Sequence, residues 1–186
     1  MNRIEKKEYV IELSKEKLIQ HINDGHIKRK QLCEWFEGSG WFPIEFVRKF
    51  GYENFIYRFI TCPNTALRWC IKFGHRKRLE NVIAHGGLPR VAYRYAVEFD
   101  KPEVMCGSIA SEYYAKRFAQ DFPTYEYQMR QHIQTIDGAL LWARDIGYAE
   151  KAKRIVEKDG MLSDIKDWNK VCPDHKIESY VSGNLM

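Results

Sequence analysis

Cysteine and histidine are the residues of this chain whose chemistry could include metal binding or nucleophilic catalysis. The 186 residues contain five cysteines and six histidines. The segment Cys172-Pro173-Asp174-His175 could supply two ligands to a zinc ion, but zinc needs four and no second pair lies at a suitable spacing. Cys106 could be activated by a histidine distant in sequence, and Glu112 with Asp121 could act as acid and base. No spacing supports any of these pairs, so we expect no catalytic residue, metal or cofactor.

Sequence motifs of the common enzyme classes are missing as well. The chain has no Walker loop, no GxGxxG segment after a strand, no HExxH and no GxSxG. The sequence therefore favours a protein that is not an enzyme. An enzyme whose site assembles from residues distant in sequence is the weakest of three alternatives.

Composition describes a soluble, mildly basic globular protein. Hydrophobic residues make up 45% of the chain and charged residues 30%, and the formal net charge is +5. The N-terminal segment alternates charged and apolar residues and contains no long apolar run. We therefore expect a cytoplasmic protein with reduced cysteines and no contact with a membrane.

Positive charge is concentrated between residues 61 and 98. This segment contains seven basic residues and two acidic ones. Its net charge therefore equals that of the whole chain, +5. The turn His75-Arg76-Lys77-Arg78 lies at a predicted helix start, where cations oppose the helix dipole. Such a turn favours an anionic partner, either phosphate or an acidic protein surface. The candidate contacts are Arg68, Lys72, Arg76, Lys77 and Arg78.

The elements that would position these residues are short helical hairpins. Leu67, Cys70 and Ile71 have the spacing of an apolar helix stripe, which Gly74 ends. A second stripe follows, formed by Leu79, Val82 and Ile83, and is closed by Gly86 and Gly87.

This stretch resembles the ankyrin repeat, T-P-L-H-x-A-A-x-x-G-H-x-x-x-V-x-x-L-L-x-x-G-A. The direct matches are Thr65, Leu67, Gly74, His75 and Gly86, whereas Ala66 replaces the proline and Arg68 the first histidine. The resemblance implies stacked helix pairs in a protein–protein adaptor or inhibitor, in which the first helices line a concave surface.

The pattern recurs along most of residues 16–160. Blocks begin at residues 42, 65, 91, 114 and 138, and the fourth block is degenerate. The spacings of 23–26 residues are shorter than the repeat of about 33 residues in ankyrin proteins, so we expect short loops instead of β-hairpin fingers. Another α-solenoid or an irregular helical bundle would have the same periodicity.

We therefore predict an all-α protein of stacked short helical hairpins, an ankyrin-like α-solenoid. Residues 1–186 form a single domain in this interpretation. Residues 1–41 supply N-terminal capping helices, 42–160 the degenerate repeats, and 161–186 a C-terminal helix with a mobile tail.

Large apolar side chains occupy two further positions of each first helix, four residues apart. Such pairs share one helix face and could form an aromatic wall on the concave surface, where aromatic residues dominate binding energies. The alternative is burial between neighbouring helices. The pairs are Phe46 and Phe50, Trp69 and Phe73, Tyr95 and Phe99, and Trp142 and Ile146.

Two binding functions follow from these features. The first is a non-catalytic module that binds another protein with an acidic surface, as an inhibitor or adaptor of the kind that phages and mobile elements encode. Its candidate contacts are the last three of the four pairs and the five basic residues. The residues of those pairs are Trp69, Phe73, Tyr95, Phe99, Trp142 and Ile146. The alternative is a nucleic-acid-binding protein that uses the basic segment 61–98.

Overall fold

A computed structural model describes residues 3–37 and 40–178, and all regular secondary structure in these residues is helical. The prediction of an all-α fold is therefore confirmed for this part of the chain, which contains no strand. Every helix in it is too short or too polar to span a lipid bilayer. The chain divides into two compact units, with the boundary between Val91 and Ala92. That residues 1–186 form one domain stays a prediction.

The first unit contains seven α-helices. They are α1 (Arg3–Glu12), α2 (Lys15–Asn23), α3 (Arg29–Phe36), α4 (Phe42–Phe50), α5 (Glu53–Ile56), α6 (Pro63–Phe73) and α7 (Lys77–Ala84). Helix α8 (Pro89–Phe99) contains the unit boundary. The second unit continues with α9 (Pro102–Met105), α10 (Glu112–Asp121), α11 (Glu126–Met129), α12 (Ile136–Asp145), α13 (Glu150–Asp159) and α14 (Leu162–Val171).

Each predicted block begins with a helix of nine to eleven residues, namely α4, α6, α8, α10 and α12. One large aromatic side chain of each helix is almost completely buried, at the fifth residue of its block. These residues are Phe46, Trp69, Tyr95, Phe118 and Trp142, with at most 4% of their surface exposed. A small buried residue lies three positions before each aromatic residue and lets a neighbouring helix approach closely. These small residues are Pro43, Ala66, Ala92, Ala115 and Ala139.

The second helix has fewer residues than the first in four blocks, whereas α12 and α13 both have ten. In α7 and α13 it is fully α-helical, and these helices pack against α6 and α12. In the other three blocks it is a single α-turn (α5, α9 or α11) that continues as a 3₁₀ helix, Tyr57–Phe59, Cys106–Ser108 or Arg130–His132. A 3₁₀ helix rises more per residue than an α-helix, so seven residues suffice to cover the first helix. Each second helix buries two residues four apart, for example Leu79 and Ile83 or Met105 and Ile109.

The C-terminal helix α14 begins at Leu162 because the Asp164 carboxylate accepts the Met161 backbone N–H at 2.7 Å. The helix ends at Val171, before Cys172 and Pro173. The following segment is held by the Trp168 indole N–H, which donates to the His175 carbonyl at 2.9 Å. The predicted tail, beyond Glu178, lies outside the described residues.

Glycine ends the first helix in three blocks with a left-handed φ, at Gly51, Gly74 and Gly147. Gly74 has φ 87° and ψ 163°, a region that is essentially restricted to glycine. In the α8 block the same position is held by Asp100, with φ 50°.

We expect Gly74→Ala to lower the free energy of unfolding by about 1–3 kcal/mol, because its backbone conformation is strained for any other residue. A methyl group at Gly74 would meet no atom within 4 Å, so the loss reports backbone strain rather than a clash. Urea denaturation measures the change. Gly107→Ala is the control, since its added methyl also meets no atom within 4 Å and its φ is ordinary. Equal losses of unfolding free energy in the two variants would show that backbone strain at Gly74 is not the cause.

Candidate macromolecule-binding surfaces

The large aromatic residues of the first helices lie inside the protein. Trp69 and Tyr95 are 0% exposed and Trp142 is 1% exposed, so of the two alternatives, an accessible concave wall or burial between helices, the structure shows burial. Each ring lies on the helix face that carries the small residues, and burying it removes more apolar surface from water than any other side chain of its helix. Their burial excludes them from direct contact with a partner.

The second residue of each predicted pair packs on the first. The ring centroids of Trp69 and Phe73 are 4.7 Å apart, and those of Tyr95 and Phe99 are 4.6 Å apart. Phe73, Phe99 and Ile146 are half-buried, so they extend the core toward the helix ends. Ile71, which the spacing places on the buried stripe, is instead 45% exposed.

Two of the predicted basic residues lie on the outer face of α6. Arg68 and Lys72 are exposed and one helical turn apart, and Ile71 lies beside them. Neither cation forms an ion pair within residues 3–37 and 40–178. They are therefore available to an anionic partner.

Arg76 and Arg78 belong to a group that we call the arginine cluster, completed by Arg58 and Tyr57. The guanidinium of Arg76 lies 5.8 Å from the centre of the Tyr57 ring, and that of Arg58 lies 6.0 Å from it. The Arg78 Nε donates to the Arg58 carbonyl at 3.0 Å. None of the three guanidiniums is paired with a carboxylate of the described chain.

Lys77, the fifth predicted basic residue, has a structural partner. Its amine forms an ion pair with Glu80, whose side chain is completely buried at the start of α7. The His75 Nε2 lies 3.7 Å from the same carboxylate. Lys77 is itself 73% exposed, but its amine compensates a buried charge, so it contributes to the fold as well as to the basic surface.

A second surface group, in which Tyr113 and Arg117 are exposed and Tyr93 and Tyr114 are half-buried, was not predicted. This tyrosine–arginine cluster lies between α8 and α10 and consists of Tyr93, Tyr113, Tyr114 and Arg117. The Arg117 guanidinium lies 5.6 Å from the centre of the Tyr93 ring and 5.9 Å from that of Tyr113, to whose hydroxyl it donates at 3.2 Å. The ring centroids of Tyr113 and Tyr114 are 5.0 Å apart, and Tyr113 is 56% exposed.

Hydrogen bonds hold this cluster in place from α10. The Tyr93 hydroxyl donates to the Asp121 carboxylate. Partial burial, together with this bond to Asp121, raises the pKa of Tyr93, and the bond to Tyr113 raises the pKa of Arg117. The phenol thus stays neutral and the guanidinium charged. Aligning the predicted blocks on their buried aromatic residues could have pointed to the cluster. In that alignment Arg94 and Arg117 occupy the same position, one residue before Tyr95 and Phe118, and Tyr93 precedes Arg94.

The residues weighed for catalysis have structural partners. The Glu112 carboxylate accepts the Gln134 N–H at 2.9 Å and the Thr135 hydroxyl at 2.8 Å, just before α12. It fills the space beside Gly138, where a Cβ would lie 1.7 Å from the Glu112 Oε1. The Cys106 thiol donates to the Glu103 carbonyl at 3.5 Å. Within the described part of the chain, no three metal-ligating side chains come together.

An ion pair beside the tyrosine–arginine cluster joins α10 to α12. The Lys116 amine contacts the Asp145 carboxylate, and the Arg144 Nε donates to the same carboxylate at 2.8 Å. Hydrogen bonds from Arg144 and then Lys116 lower the pKa of Asp145 from 3.8 to about 2.

We expect Lys116→Met to raise the pKa of Asp145, because the carboxylate loses one of its two cations. A lowered carboxyl pKa stabilises the native state above pH 3.8, and this contribution disappears as the pH falls toward 2. The variant should therefore be less stable than the parent at pH 7, and the difference should shrink between pH 3.8 and 2. Carboxyl NMR titration and unfolding at each pH measure both effects. Lys166→Met, which removes an exposed lysine of α14, should change neither.

No family model matches this chain, and neither a curated protein nor a solved structure matches it. Its function must therefore be inferred from the two clusters and the helices that carry them.

Proposed function

We propose that the protein is a non-catalytic binding module built of ankyrin-like helical hairpins, and that it binds another protein. The observation that carries this proposal is the tyrosine–arginine cluster. Tyrosine and arginine are enriched among the residues that contribute most to protein–protein binding. Tyr113 and Arg117 are exposed, and contacts with the half-buried Tyr93 and Tyr114 restrict their orientations. Such a surface loses little side-chain entropy when a partner binds.

The charges around the cluster favour a protein over a nucleic acid. The Asp121 carboxylate contacts Tyr93 directly, and Asp145 stands at the corresponding position of α12, three residues after its buried aromatic. A phosphate placed against the Tyr93 hydroxyl would be repelled by the Asp121 carboxylate, whereas the charge of Asp145 is offset by Lys116 and Arg144. A protein surface, in contrast, can offer both signs of charge.

The arginine cluster gives the partner a preferred charge. Arg58 and Arg76 beside the Tyr57 ring, with Arg78 attached to the Arg58 carbonyl, form no ion pair in the described chain. Together with Arg68 and Lys72 on α6, they attract carboxylates and accelerate encounter with an acidic surface. We therefore propose an acidic protein as the partner. Occlusion of that partner's own site, or the linking of two proteins, would make the module an inhibitor or an adaptor.

The common register of the five first helices supports the ankyrin-like part of the proposal. Each block presents its own exposed residues around one buried ring, as expected when every hairpin is a variant of one structural unit. The spacing of 23–26 residues agrees with hairpins that lack β-hairpin fingers.

Affinity capture from cells that naturally express the chain tests this function. We expect a protein partner that is retained after nuclease treatment and at about 300 mM salt, because its contacts are not mainly phosphate contacts. Tyr113→Ala combined with Arg117→Ala should lower recovery about tenfold or more, the effect of losing residues worth about 2 kcal/mol or more.

The matched control is Tyr127→Ala combined with Arg130→Ala. Tyr127 is 67% exposed, and the Arg130 guanidinium lies 4.3 Å from its ring centre, so the control removes a similar pair from α11. Recovery of nucleic acid that disappears with Arg76→Glu and Arg78→Glu would instead identify a nucleic-acid-binding protein. Equal losses of partner recovery in the Tyr113/Arg117 variant and in the control would show that the tyrosine–arginine cluster is not the binding surface.

A further inference from the structure

An apolar cleft opens on the first unit, between α2, α3, α4 and the α5 segment. Its volume is about 340 Å³, within the range of pockets that bind small molecules. Its lining is predominantly aliphatic and aromatic. The apolar lining residues are Leu18, Ile19, Ile22, Leu32, Phe36, Phe46, Phe55 and Ile56.

Three large side chains at this cleft are exposed to solvent. Ile19 is 43% exposed, Phe55 50% and Tyr52 54%. Apolar groups gathered at one opening, rather than scattered singly, are typical of a binding site. Within the described chain these residues present a continuous path from solvent to the buried Phe36 and Ile56.

Tyr52 reaches the cleft through a strained backbone. Its φ of 71° and ψ of 29° are left-handed, which is unfavourable for an aromatic residue. The strain places the tyrosine ring on the cleft, 5.8 Å from the Lys15 amine. Residues held in such conformations cluster at ligand sites, where the surrounding structure maintains the strain.

Lys15 supplies the charge of the lining. It is the one ionised side chain among the described lining residues, and its amine forms no ion pair within the described chain. None of the three arginines of the arginine cluster lines the cleft. The cleft therefore combines apolar walls with a single cation at its mouth.

We propose that this cleft binds an anionic amphiphile, a small molecule with an apolar chain and one carboxylate. The chain would lie against Leu18, Ile22 and Phe55 and leave water, which supplies most of the affinity. The carboxylate would meet the Lys15 amine, which sets the preference for a negative head group. This site is separate from the proposed function, because its lining includes no residue of the tyrosine–arginine cluster or of the arginine cluster.

Two ligands with the same ten-carbon chain and opposite head charges test the proposal. Decanoate and decyltrimethylammonium are titrated below their micelle concentrations, and amide NMR shifts report the site and the affinity. We expect decanoate to shift the amides around Ile19 and Phe55 and to bind about three- to fivefold more tightly than the cation, as one exposed charge pair allows.

Lys15→Glu should reverse this preference, because it places a negative charge at the same mouth. Lys17→Glu is the matched control: Lys17 is exposed on α2 and does not line the cleft, so the preference should persist. Phe55→Asp should weaken both ligands, and its unchanged helical circular dichroism would show that the fold is intact. Absence of decanoate binding, or an unaltered preference in Lys15→Glu, would overturn the proposal.

Discussion

The burial of one large aromatic ring per first helix is the constraint on which the rest of this structure depends. Each block of 23–26 residues must fill its share of the core with a helix pair, and its second helix contributes two medium-sized side chains. A tryptophan, tyrosine or phenylalanine beside small residues supplies the missing apolar surface and allows close helix packing. Because this position is occupied by the core, the residues next to it in sequence are left on the surface, and the function must be sought there.

Much of the architecture could be predicted from the sequence because it depends on local patterns. Recurring helix starts and small residues locate all five first helices, including the degenerate fourth one, and a terminal glycine marks the end of three of them. Which side of each helix is buried could not be derived in the same way. Trp69 and Ile71 are two residues apart on one helix and both apolar, and only packing against other helices determines that the first is buried and the second is exposed.

The candidate sites were predicted less well, since they depend on side chains from different helices. Arg76 and Arg78 were expected on charge alone, but their association with Tyr57 and Arg58 results from the packing of the preceding block. Lys77 belongs to the same basic turn, yet the buried Glu80 neutralises it. Tyr93 and Arg117 are 24 positions apart, and neither forms a motif until α8 and α10 bring them together.

The 3₁₀ continuations of α5, α9 and α11 have a consequence for the motions of the molecule. A 3₁₀ helix has poorer hydrogen-bond geometry than an α-helix, so these second helices require less free energy to open locally. Amide hydrogens there should exchange with solvent faster than those of α4, α8 and α10, which are continuous α-helices. The tyrosine–arginine cluster lies on the first helices α8 and α10, whereas Tyr57 and Arg58 of the arginine cluster lie on the 3₁₀ continuation of α5. Local opening of the second helices would therefore move the arginine cluster and leave the tyrosine–arginine cluster in place.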